Sequence, residues 1–360
     1  MKAVMKREMK NYLKQPFFWI GVLIVFAGVF QTLGPYLKIS YVTSDEEIAA
    51  MRERTQSYDD YVPEADTFDG YIPASEEERR AVWEQKIYET LVSGFELEPS
   101  EAEAVVEKVH EMEVSEACAY LEETFQWGYV IYDYTDAAYR RATKEEINAY
   151  LDSQMERKPF SYYFSRKFAD FAGLWMGFFA AIVLAALFWQ DTRKHTYELL
   201  HTKPVRAGSY VMGKTAGGFG VCLLTLAILN VGFWALCRIA MRSSGFEVRI
   251  QDFLYATCVY ILPNMLMIVC VYGVISLLFK NPLPAVPFLL LYIVYSNMGR
   301  RNEEGVFGYY GRPLAIMVRF PGPFFDTTPP PMVIQNQCFL LLASAVLILA
   351  CVQLWKRRRT

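Results

Sequence analysis

The chain has 360 residues, of which 53% are hydrophobic and 21% charged, with a formal net charge of −3. The charges are segregated, because residues 38–167 hold 30 of the 39 acidic and 14 of the 36 basic residues, a local net charge of −16. Three histidines and no Cys-x-x-Cys argue against a Cys/His metal site. Only one of the seven cysteines, Cys118, lies in the acidic region, which excludes an internal disulfide there.

The first 14 residues predict a basic amphipathic helix suited to a membrane surface, because apolar residues recur at helical spacing between cations. Gln15-Pro16 ends this helix, and Pro16 suits the first position of the next. Phe17 to about Leu37 is uncharged and long enough to cross a bilayer. We interpret it as an uncleaved signal anchor rather than a cleavable signal peptide.

Residues 38–167 predict a mostly helical, water-facing domain. Ser75–Glu78 and Thr143–Glu146 both have the capping-box pattern, and Pro99 opens a third helical pattern that runs through Leu121. The Tyr/Asp-rich stretch 57–73 predicts a loop.

Five further apolar segments follow, so the predicted fold is an all-α membrane protein with six transmembrane helices. The predicted parts are residues 1–37 (surface helix and first span), 38–167 (the acidic domain) and 168–360 (spans two to six). Two connections stand out, the polar segment 190–209 and the Gly/Pro-rich loop 299–336. The later spans are about Phe168–Trp189, Tyr210–Leu236, Phe253–Phe279, Leu283–Met298 and Gln337–Trp355.

Basic residues beside the spans predict the orientation. With the N-terminus inside, the inner segments carry 15 Lys and Arg and the short outer loops carry 7. This excess favours both termini in the cytoplasm, which would place the acidic domain outside the cell.

Gly208, Gly213, Lys214 and Thr215 fit the P-loop pattern G-x-x-x-x-G-K-[ST]. A working P-loop follows a buried strand and wraps phosphate with backbone N–H groups. Here the preceding residues are polar and broken by Pro204, and a membrane helix follows. We therefore interpret the pattern as a chance match, with Lys214 as an interfacial anchor and no bound cofactor.

The segment 190–209 allows two interpretations. A brief helix from Thr196 to His201 would present Tyr197, Leu199 and Leu200 to a groove on a partner protein. It could equally be an ordinary solvated loop, and the segment by itself favours neither interpretation.

Three features together resemble the permeases of ATP-binding cassette (ABC) exporters of type 2. They are the start MKREMKNYLKQPFFW, the long insertion after the first span, and the segment DTRKHTYELLHTKPVRAGSYVMGK. The resemblance covers the six-span framework and not residues 38–167.

The resemblance implies that the N-terminal helix is an elbow helix along the inner leaflet. It implies that the segment after span two is a coupling helix seated on a separate ABC ATPase subunit. It also implies a dimer with a second or homologous permease in a bacterial-type cytoplasmic membrane, contact with membrane lipids, no nucleic acid and no enzymatic activity in this chain. The loop before the last span would dip into the outer leaflet, against which Arg319 argues. The implied ATPase-coupling residues are Arg193, Tyr197, Glu198, Leu199 and Leu200.

Ionisable residues are scarce within the predicted spans, where Asp170 and Arg238 lie near ends. Secondary transporters and membrane enzymes need such groups, so both classes are disfavoured. Asn230 and Asn264 are interpreted as contacts between helices. The alternative function is a membrane-anchored sensor whose external domain binds a peptide or a cation. Peptide, lipid, drug and ion substrates are all compatible with the exporter interpretation.

Overall fold

The computed structural model describes residues 2–56, 66–192, 206–301, 307–309 and 311–357. The chain divides into two compact units. The first comprises Met1–Lys38, Arg157–Gly299 and Tyr309–Thr360, and the second comprises Ile39–Glu156 and Arg300–Gly308.

The first unit consists of helices and their connections. A 3₁₀ turn, Pro35–Lys38, follows the second helix, and a π-helical turn, Thr257–Ile261, lies between two others. The helices are α1 (Lys2–Leu13), α2 (Pro16–Leu33), α9 (Phe160–Thr192), α10 (Ala207–Ala240), α11 (Ile250–Ala256), α12 (Leu262–Phe279), α13 (Ala285–Asn297) and α14 (Val333–Arg357).

Five of the helical segments are long and apolar enough to cross a membrane: Pro16–Leu33, Phe160–Ala186, Ala207–Ala240, Ile250–Phe279 and Val333–Arg357. The predicted fifth span, α13, has only 13 residues. At 1.5 Å per residue it is ~20 Å long, whereas the hydrocarbon core is ~30 Å thick. The structure therefore supports five of the six predicted spans by length.

Two local features shorten α13. Pro282 and Pro284 precede it, and Pro284 occupies the N-cap position, so the helix starts only at Ala285. At the other end, Met298 adopts an extended conformation (φ −70°, ψ 124°), which stops the helix at Asn297.

The long segment Ile250–Phe279 contains the π-helical turn just before Pro263. Proline has no N–H to donate and its ring collides with the preceding turn, and a wider turn relieves that collision. Thr257, at the start of the π turn, donates to the side-chain oxygen of Asn230 on α10 at 3.0 Å. Asn230 thus links two apolar helices by a hydrogen bond, as predicted.

The second unit is also mostly helical, with a core centred on Trp83, Ile87 and Leu121. Both predicted capping boxes are present: Ser75 and Glu78 bond reciprocally at 2.9 and 3.2 Å, and Thr143 and Glu146 at 2.8 and 3.4 Å. The helices are α3 (Asp45–Gln56), α4 (Glu76–Ser93), α5 (Pro99–His110), α6 (Val114–Phe125), α7 (Val130–Asp136) and α8 (Lys144–Arg157).

The single helix predicted from Pro99 through Leu121 is wrong, because the chain forms two helices, α5 and α6. The guanidinium of Arg80 explains the break. It donates to the carbonyls of Val109 at 3.0 Å and of His110 at 2.8 Å, and so satisfies groups that end α5.

The prediction of an all-α fold is also incomplete, because the structure contains two short antiparallel strand pairs. Strand β1 (Tyr71–Pro73) pairs antiparallel with β2 (Tyr139–Arg141), and β3 (Arg300–Arg301) pairs with β4 (Phe307–Gly308). β1 lies inside the stretch 57–73 that was predicted as loop, of which residues 57–65 lie outside the described residues.

Candidate functional site

A buried ion pair joins the N-terminal helix to α10. Glu8, near the middle of α1, is 7% exposed, and Lys214 of α10 is 3% exposed. The Lys214 ammonium lies 3.4 Å from a Glu8 carboxylate oxygen. Burial removes the water that would solvate each charge, so each charge depends on the other.

A glycine permits the close approach of α1 to α10 at this pair. A Cβ atom added to Gly217 would lie 2.9 Å from the Cβ of Glu8, which is too close for an ordinary contact. One turn further along α1, the hydroxyl of Tyr12 donates to the carbonyl of Val183 on α9 at 2.8 Å. The N-terminal helix is therefore held by both α9 and α10.

The same region contains the P-loop pattern. Gly208, Gly213, Lys214 and Thr215 all lie within α10, which is helical from Ala207. A P-loop wraps phosphate before its helix begins, whereas here the pattern is itself helix. Gly213 is buried, and Lys214, which we expected at the interface, is instead buried against Glu8.

The five predicted ATPase-coupling residues lie outside the described residues. Arg193, Tyr197, Glu198, Leu199 and Leu200 belong to residues 193–205, and the structure describes what flanks them. Before them α9 ends at Thr192, and after them α10 begins at Ala207. Tyr210, in the first turn of α10, stacks on Trp355 of α14 with ring centroids 3.9 Å apart.

A second buried cluster of charges lies on α9, where it holds the connection between α13 and α14. Asp170 accepts from the backbone N–H of Phe320 at 2.7 Å and forms an ion pair with Arg319. The Lys167 ammonium donates to the carbonyls of Phe320, at 2.7 Å, and of Gly322. Lys167 and Asp170 are each 2% exposed. We call Lys167, Asp170 and Arg319 the loop clasp.

The charge of Arg319, which argued against insertion of this loop into the membrane, is paired within the loop clasp. The loop residues Ala315, Ile316, Met317, Val318 and Phe320 are all buried. Arg319 meets Asp170 among them, and it also donates to the side chain of Asn297 at the end of α13. The charge is therefore paired inside the protein, which offsets the cost of burying it.

A strong electrostatic perturbation lies at the second capping box of the second unit. Hydrogen bonds from Arg140 and from the backbone of Thr143 lower the pKa of the Glu146 carboxyl to about 2. Among the described residues, no group of three or more His, Cys, Asp or Glu side chains is placed to hold a metal ion. The salt bridges here support helix ends and strand β2, as structural ion pairs do.

Two findings define the class of this protein. Several long apolar helices in one chain indicate a multi-pass membrane protein. A family model described as ABC-2 family transporter protein matches residues 2–304. The chain belongs to this family, and the resemblance to type-2 ABC permeases is confirmed. No curated protein and no solved structure matches the chain.

Neither of these two buried ion pairs was predicted from the sequence, although a signal for each was present. Glu8 is the one acid among the cations of the first helix, and Asp170 is an acid at the start of an apolar segment. Their partners, Lys214 and Arg319, lie 206 and 149 residues further along, and only the tertiary fold brings them together.

Proposed function

We propose that the chain is the permease subunit of an ABC exporter, which moves a substrate across the membrane with energy from a separate ATPase subunit. The family match over residues 2–304 carries the proposal. ATP hydrolysis belongs to the partner in this scheme, so the chain itself is not an enzyme.

The finer parts of the proposal follow the predicted topology. The short helix α13 counts as the fifth of six spans, paired with the inserted loop that the clasp holds. α1 serves as the elbow helix, both termini are cytoplasmic, and residues 38–167 form an extracytoplasmic domain. Two permease copies, identical or homologous, form the transport unit in a bacterial-type cytoplasmic membrane.

We assign coupling to the segment 190–209, with Glu198, Leu199 and Leu200 seated on the ATPase and Arg193 and Tyr197 beside them. The contacts on either side support this assignment. α10 begins at Ala207 and already contacts α14 at Tyr210 and α1 at Lys214, so a push on the segment would reach three helices within about two turns.

Co-purification with the ATPase tests the proposal. We expect Leu199→Glu with Leu200→Glu to abolish recovery of a soluble ATPase with the full-length permease. The matched control is Lys280→Glu in the exposed turn between α12 and α13, which changes the net charge by the same amount.

Two outcomes would count against the proposal in different ways. If the double variant retains its ATPase, the coupling residues are wrongly assigned. If the unmodified chain recovers no ATPase, the permease function itself fails.

A further inference from the structure

The exposed charged residues of α1 are all basic. Each cation in and just after this helix is solvent-exposed, whereas Glu8 and Tyr12 on the opposite side are buried. The exposed cations are Lys2, Lys6, Arg7, Lys10 and Lys14. They extend over 12 residue steps, or ~18 Å along a helix axis. We call these five residues the basic face.

No acidic residue of α1 balances the basic face. The one acid of the helix, Glu8, is turned inward to Lys214. Within the part of the chain that the structure describes, none of the five cations forms an ion pair. The surface therefore presents five positive charges together, which favours an extended anionic partner over a single counter-ion.

The residues that follow indicate the nature of that partner. Phe17 and Trp19, in the first turn of α2, are 48% and 43% exposed. The indole N–H of Trp19 donates to the carbonyl of Leu13 at 3.0 Å, which fixes the ring beside the end of α1. Exposed aromatic rings at the start of an apolar helix are typical of the headgroup level of a bilayer. Binding of a water-soluble acidic protein would not require exposed aromatic rings at this position.

We propose that the basic face binds the headgroups of anionic phospholipids in the leaflet next to the N-terminus. Clustered Lys and Arg beside a membrane helix are attracted to an anionic leaflet over a Debye length, so the contact should weaken with salt. The lipid would fix α1, and through Glu8 and Lys214 the start of α10 as well. The proposal does not depend on whether the chain transports anything.

Hydrogen exchange of the full-length protein in lipid nanodiscs tests it. We expect the amides of residues 2–14 to exchange roughly tenfold more slowly in discs with phosphatidylglycerol than in phosphatidylcholine alone. The difference should disappear in high salt. Lys6→Gln with Lys10→Gln should remove most of it, because these residues are one turn apart on the exposed side.

The matched control is Arg238→Gln with Arg242→Gln, which removes two exposed charges at the other end of α10. It should leave the lipid dependence of residues 2–14 unchanged. Equal exchange of these amides in both kinds of disc would overturn the proposal. Slower exchange that requires an added ATPase subunit, whatever the lipid, would do so too and would assign the basic face to an acidic protein. Unchanged exchange elsewhere in each variant shows that it has folded.

Discussion

Glu8 and Lys214 are the residues on which the attachment of the N-terminal helix most depends. Each is nearly inaccessible to water, and their contact crosses 206 residues of sequence. Since an unpaired buried charge is costly, replacing one partner should be worse than replacing both.

We expect Glu8→Gln to lower the stability of the detergent-solubilised protein by about 3 kcal/mol, because it removes the negative charge that faces the buried Lys214 ammonium. Glu8→Met combined with Lys214→Met should recover much of the loss. Thermal unfolding followed by tryptophan fluorescence measures both. A double variant no better than the single one would show that the pair does not couple.

Gly217 allows a second prediction at the same contact. Gly217→Ala would place a methyl group 2.9 Å from the Glu8 Cβ and should lower the melting temperature, because a backbone-attached atom cannot swing away. The control is Gly220→Ala, whose new methyl group would meet the flexible Met9 sulfur at 3.1 Å. Equal effects of the two substitutions would contradict the proposed close approach.

At the scale of elements, the loop before α14 is held by polar groups of both α9 and α13, since Tyr292 and Tyr295 of α13 also donate to its carbonyls. Lys167 binds two of its carbonyls, and Asp170 binds both an N–H and the Arg319 side chain. The apolar residues around these groups explain why the sequence predicts a loop that dips into the membrane. The clasp explains how the arginine among them is accommodated.

Asp170→Asn should release this loop, because the amide can neither pair with Arg319 nor offset the Lys167 charge. We expect faster proteolysis within residues 311–332, or faster labelling of a cysteine introduced there, with little change in the second unit. Asp170→Glu, which keeps the charge, should be milder. Unaltered labelling in Asp170→Asn would mean that the loop is retained without the Asp170 contacts, by apolar packing and by hydrogen bonds from α13.

The acid stability of the second unit should depend on Arg140 and Glu146. The folded pKa of Glu146, about 2, lies below its ordinary value of 4.5, so this contact stabilises above pH 4.5 and is lost as the pH falls through 2. Arg140→Gln should therefore destabilise at pH 7, and its deficit relative to the unmodified protein should shrink towards pH 2. Circular dichroism melts at several pH values measure this. A deficit that is constant with pH would be inconsistent with it.

Local signals predicted the elements well where they act over a few residues. The two capping boxes and the break at Gln15-Pro16 both follow from neighbours in sequence. The helix that contains the predicted second span extends beyond it, since α9 begins at Phe160 and the span was predicted from about Phe168. Arg166 and Lys167 mark the predicted end of the acidic domain. Lys167 is nevertheless buried, because carbonyls distant in sequence accept hydrogen bonds from its ammonium.

At the scale of the whole molecule, composition was the strongest guide. The opposite charges of residues 38–167 and of the remainder already separated a water-facing region from a membrane region. The ion pairs that hold α1 and the loop could not be predicted, because nothing near Glu8 or Asp170 in sequence identifies a partner. The span count depended on α13, which prolines shorten below the length of a membrane crossing.

The proposed topology predicts where reagents reach the second unit. Glu103 is exposed on α5, so a membrane-impermeant maleimide added to intact cells should label Glu103→Cys. The native Cys118 is a poor competitor near neutral pH, because burial raises the pKa of its thiol to about 11. Labelling only after the cells are broken would place this unit on the cytoplasmic side.

The long sequence distance between Glu8 and Lys214 has a consequence for biosynthesis. A ribosome makes α1 first and α10 some 200 residues later. The Glu8 carboxylate therefore cannot contact the Lys214 ammonium while the intervening helices are inserted. Until then α1 lacks both Lys214 and, for much of that time, the Val183 carbonyl that Tyr12 binds. Assembly of the N-terminus is therefore a late, post-insertion step, and nascent chains stalled before residue 214 should keep α1 open to protease.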